Sequence, residues 1–163
     1  MLNRLKTILA APAPAFEQPA PRFDANLAAA ALMVRVIAAD GVIEPAEILR
    51  MRQVLLSHYD LTPAEADELI VEARAADEDA IDLYGFTSVL KSEMDEAERL
   101  ALVEDLWEMV YADGHLHENE DNVVWRVAEL LGITSDKRIA LKVRVKKRRG
   151  GHGPEDRRGP GNR

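Results

Sequence analysis

Cysteine is absent from the 163 residues. That excludes a disulfide scaffold, a thiolate metal site and a cysteine nucleophile together, and it agrees with a reducing cytoplasm. Aromatic residues supply only 5% of a chain that is 47% apolar. A core must therefore be built from Leu, Val, Ile and Ala, which favour helix against helix over a β-sandwich. No Gly-rich phosphate loop occurs, and Ser57, Ser88, Ser92 and Ser135 lack the setting of a nucleophile elbow. No segment alternates long enough to read as a sheet. The expectation is a compact all-α bundle of about seven helices.

Charge is present in quantity but unevenly placed. Residues 1–136 carry 10 Lys and Arg against 27 Asp and Glu, a net of −17, whereas residues 137–163 carry 11 against 2, a net of +9. An acidic body is a poor partner for nucleic acid. The basic end, KKRRGGHGPEDRRGPGNR from Lys146, has nothing apolar to bury and reads as a disordered tail over 147–163. Such a tail solubilises the chain, tethers it to RNA or anionic lipid, or folds onto the acidic body. At the other end, residues 1–23 read as a short amphipathic segment (Leu2, Leu5, Ile8, Leu9) followed by a Pro/Ala-rich linker. It is too short an apolar stretch for a signal peptide. The folded domain is expected over 24–146.

What the chain does contain is a phrase written twice. Ala39-Asp40-Gly41-Val42-Ile43-Glu44-Pro45-Ala46-Glu47 returns as Ala112-Asp113-Gly114-His115-Leu116-His117-Glu118-Asn119-Glu120, an offset of 73 residues. The same offset pairs Leu27 with Leu100, Met33 with Leu106, Ile37 with Val110, Met51 with Val124 and Val54 with Val127. A helix, an Asp-Gly turn and a second helix are thus expected as a pseudo-two-fold duplication. Helical periodicity and end signals mark helices at about 24–39, 45–57, 62–76, 81–91, 95–110, 118–131 and from 134 onward. The first has few charges and should be the most buried.

The phrase D-G-x-[I/L]-x-x-x-E has the spacing of the second half of an EF-hand loop. Its first half fails, because the ligand positions fall on Val36 and Ala38, and on Met109 and Tyr111. Two readings of the acids remain. In one, Asp40 and Asp113 bond turn N–H groups and cap the next helices, leaving Glu47 and Glu120 exposed. In the other, Asp40, Glu47, Asp113 and Glu120 converge on an acidic surface that holds a divalent cation. Ca, Mg or Mn suit oxygen ligands better than Zn does. Glu44, Glu118, His115 and His117 are secondary candidates, the two histidines reading first as loop residues. His58 and His152 have no supporting neighbours in sequence. No organic cofactor is implied.

These paired phrases resemble the TerB-like, tellurite-resistance-associated family, a relative of which occurs in some J-domain co-chaperones. The resemblance covers roughly residues 24–133. It implies an all-helical domain with internal pseudo-symmetry and a divalent-cation site on an acidic surface, at residues matching Asp40, Glu47, Asp113 and Glu120. It also implies a cation-sensing or scaffolding role in stress responses, with another protein as partner, in the cytoplasm and peripheral to the membrane. No catalysis follows from it. The competing expectation is a metal-dependent hydrolase using the same carboxylates.

Overall fold

Seven helices are present among the described residues of the computed structural model, which are 24–80, 82–112, 114 and 117–150. They are α1 (Ala25–Ile37), α2 (Pro45–His58), α3 (Pro63–Asp79), α4 (Tyr84–Glu93), α5 (Glu96–Val110), α6 (Glu118–Leu130) and α7 (Ser135–Gly150). No strand occurs among these residues, and the fold is all-α. The N-terminal segment, the linker and residues 151–163 lie outside them. No helix in the described part is long and apolar enough to cross a membrane.

Polar side chains start three helices where sequence places them. Asp24 accepts from the Leu27 N–H at 2.7 Å and Asp95 from the Glu98 N–H at 2.8 Å. Thr62 and Glu65 form a complete capping box, with Pro63 at the first helical position. Each cap satisfies donors that a helix end otherwise leaves unpaired, at about 1 kcal/mol apiece. Helix α4 begins at Tyr84, three residues later than periodicity suggests.

Helix α1 is the axis of the molecule and packs against α2, α3, α4, α5 and α6. Ala28, Ala29, Ala30 and Ala31 have no exposed surface, so small side chains face neighbours on every side. Arg35 interrupts this run. Its guanidinium pairs with the Asp77 carboxylate and donates to the carbonyls of Asp77 and Ala80 at 3.3 and 3.2 Å. It thereby fills acceptors that the end of α3 leaves open, where a cation also meets the negative end of the helix. Helix α5 forms a second centre, touching α1, α2, α6 and α7 and burying Leu102, Val103, Leu106, Trp107, Met109 and Val110. The whole set makes one continuous apolar cluster.

Arg50 is partly buried, its guanidinium 3.4 Å from the Glu108 carboxylate, whereas Arg52 and Asp67 pair at the surface at 2.9 Å. One expectation about the surface changes. The basic end does not leave the fold at residue 146. Helix α7 continues to Gly150, and its Arg148 and Arg149 pair with Glu104 and Glu108 of α5.

Candidate metal centre

The two Asp-Gly turns are built alike. Helix α1 ends with the Ala38 N–H on Val34, Ala39 on Val36 and Gly41 on Ala38; helix α5 ends with Tyr111 on Trp107, Ala112 on Met109 and Gly114 on Tyr111. Each bond has its counterpart 73 residues on. Gly41 and Gly114 sit at φ +83° and +78°, where an L side chain is strained. Nothing lies within 4 Å of a Cβ built at either, so only conformation resists substitution. Gly41→Ala is expected to destabilise by about 1–2 kcal/mol, read as a shift in the urea midpoint without a change in slope. Burial repeats too, since Met33 and Leu106, Ile37 and Val110, and Met51 and Val124 are all fully enclosed.

The same register puts a glutamate at the third position of α2 and of α6. A Glu there usually reaches back to the helix cap in solvent. Glu47 and Glu120 instead turn inward and have no exposed surface. Glu47 and Glu120, expected on an acidic surface, are therefore a buried pair of neighbouring carboxyls. Nor do the helix caps follow expectation: Glu44 and His117 occupy the cap positions of α2 and α6 without a capping side-chain bond. Asp40 Oδ1 accepts from the Val42 N–H at 3.0 Å, which braces the turn but does not cap α2.

With Oδ1 so engaged, Asp40 Oδ2 lies 4.0 Å from His117 Nδ1. One ligand atom each from Asp40, His117 and Glu120 fall within 4.8 Å of one another. Adjacent ligands of an octahedral ion at metal–oxygen distances near 2.1 Å stand about 3.0 Å apart, and only one pair of three can be opposite, at about 4.2 Å. The three side chains would therefore have to draw together by about an ångström or more to share a cation. Asp40 and His117, distant in sequence, thus meet in space. His117 joins the group, which its reading as a loop histidine did not anticipate. Glu44 is half-buried and Glu118 exposed, and neither belongs to this group. Asp113 and His115 lie outside the described residues.

Charge crowding shows in Glu120. Its carboxyl is pushed up to about 8, first by burial, then by the charge of Glu47, with Asp40 and a Glu47 hydrogen bond adding and His117 opposing. Two carboxyls so placed share a proton rather than both ionise. A divalent cation offers the alternative. Glu47 and Glu120 lie in the first turns of α2 and α6, where the helix dipole favours negative charge.

Two further polar constellations escaped sequence reading. His58 Nδ1 lies 3.0 Å from the carboxylate of Asp105, whose carboxyl is raised by burial against the pull of this partner. They line a cleft of about 550 Å³ with Tyr59, Glu93 and Glu98. The His58 neighbour comes from α5, 47 residues away, so no local pattern could show it. Asp121, next to Glu120, accepts from Trp107 Nε1 at 3.1 Å and Lys142 Nζ at 2.8 Å.

The fold and its site define a class: an all-helical module in which Asp40, His117 and Glu120 lie close together. Residues 26–143 match the family described as Tellurite resistance protein TerB, and the chain belongs to that family. No curated protein and no solved structure matches it.

Proposed function

We propose that this chain is a non-enzymatic TerB-family module, associated with tellurite resistance as the family name indicates and with stress response, that binds a divalent cation beside its first Asp-Gly turn. Asp40, His117 and Glu120 supply ligands, Glu47 neighbours Glu120, and Asp113, outside the described residues, is a further candidate from its place in the repeat. The observation that carries this reading is the convergence of Asp40, His117 and Glu120 from opposite ends of the sequence. An imidazole nitrogen among oxygens shifts the preference from Ca and Mg toward Mn, with Zn next. A module rather than a hydrolase is favoured because the Glu pair is enclosed, whereas metal-assisted hydrolysis needs an open coordination position beside a substrate cleft. Exposed Val42 and Leu49, on the first turn and on α2, offer an apolar surface beside the site for a protein partner.

Calorimetric titration of Mn, Zn, Mg and Ca into purified protein tests the reading. Mn is expected to bind with modest affinity and to raise the melting temperature, adding about 2.7 kcal/mol at a hundredfold excess over Kd. Asp40→Asn should remove most of that gain and leave the fold intact, since an amide oxygen can still accept from Val42. His117→Ala should reduce the preference for Mn over Mg. Unchanged binding in both variants would place the cation elsewhere, and no binding of any ion would leave the turns with a purely structural role.

A further inference from the structure

Helix α7 is held unlike the other helices. Along its 16 residues only Leu141 and Val145 are buried, and its contacts are with α5 and α6. Ion pairs supply most of the rest, with Arg138 and Lys142 also lying over the Trp125 ring at 5.5 and 5.4 Å. Lys137 meets Glu96, Arg144 and Arg148 meet Glu104, Arg148 and Arg149 meet Glu108, and Lys142 meets Asp121. The basic residues are mostly half-exposed or more, so these attractions weaken with salt.

The acceptors that matter most do not depend on α7 alone. Glu108, nearly buried, also has Arg50 of α2 at 3.4 Å. Asp121, equally enclosed, keeps the Trp107 N–H. Lifting α7 therefore strands neither carboxylate without a donor, and the large penalty of a bare buried charge is avoided. Such an arrangement can open without unfolding what lies beneath it.

Opening would be felt at the candidate metal centre. Asp121 follows Glu120 directly, and its N–H bonds the carbonyl of His117 at 2.9 Å. Its carboxylate is held from two sides, by Trp107 of α5 and Lys142 of α7. We infer that α7 is a charge-latched strap whose docking, through Lys142 and Asp121, fixes the first turn of α6 and so tunes the cation site. This inference rests on the proposed cation-binding reading for its functional consequence, and on the ion pairs alone for the strap itself. A polyanion or raised ionic strength that competes for the arginines would loosen the site.

Amide exchange and Mn calorimetry on the full chain, with variants compared at matched salt, test both parts. Arg148→Gln with Arg149→Gln leaves the body untouched and should speed exchange in α7 roughly tenfold, with α1 and α3 unchanged. Raising NaCl to about 0.5 M should do the same to the wild type. Lys142→Met should speed exchange at the Asp121 N–H and weaken Mn binding several-fold. If α7 exchanges as slowly as α1 in the double variant and in salt, it is no strap. If α7 loosens while the Asp121 N–H and Mn affinity stay as they were, the coupling is refuted. Should the wild type bind no Mn, the cation reading fails, and exchange at Asp121 in Lys142→Met still decides whether the strap reaches α6.

Discussion

Without a divalent cation, the protein is expected to lose stability as pH rises from about 4.5 to about 8. The cause is Glu120. Its carboxyl has an ordinary value near 4.5 when unfolded and is pushed up to about 8 when folded, chiefly by burial and by Glu47. Between those limits the native state holds a proton that the unfolded chain has released. Unfolding free energy then falls with pH. The contribution is fully present below about 4.5 and gone above about 8. At about 1.4 kcal/mol per unit it amounts to a few kcal/mol, once solvent screening and the shared proton are allowed for. Urea unfolding in EDTA across this range should show the decline, and Glu120→Gln, which mimics the protonated acid, should flatten it. Mn should restore stability strongly near pH 8 and little near pH 5, because it must displace the proton to bind. Parallel pH profiles for wild type and Glu120→Gln would show that the pair does not carry the effect.

That prediction depends on burial that sequence could not supply. The A-D-G-x-[I/L]-x-x-x-E repeat located both turns, and apolar periodicity located the helices, because each signal is local. The orientation of Glu47 and Glu120 is not local. A glutamate in a first helical turn reads as solvated or capping, and only tertiary packing encloses it. The same limit applies to His58, whose partner Asp105 sits on another helix. It applies equally to the basic end, where residues 147–150 stay helical because Glu104 and Glu108 receive Arg148 and Arg149. In isolation those four residues give no reason to fold. His117 was legible as a candidate, but its closeness to Asp40 follows from the packing of α1 against α6, not from spacing.

Trp107→Ala is expected to be among the most damaging single substitutions, at about 3–5 kcal/mol. Trp107 has no exposed surface and meets Trp125 edge-on, with ring centroids 5.4 Å apart at 77°. Removing it opens a large cavity in α5 and also forfeits an aromatic pair worth about 0.5–1.5 kcal/mol. Its indole N–H is one of two donors to Asp121, so the truncation leaves that enclosed carboxylate dependent on Lys142. Trp107→Phe separates the two effects, since it keeps most of the ring volume and drops only the donor. A charge-assisted bond of this kind contributes about 1.5–3 kcal/mol, so Trp107→Phe should fall in or slightly above that range. A double-mutant cycle with Asp121→Asn, followed by helical circular dichroism in urea, should return a coupling energy of at least about 1 kcal/mol. If Trp107→Phe is near neutral and the cycle closes with no coupling, the N–H is not holding Asp121. Helix α6 must then owe the position of its first turn to Lys142 and to apolar packing alone.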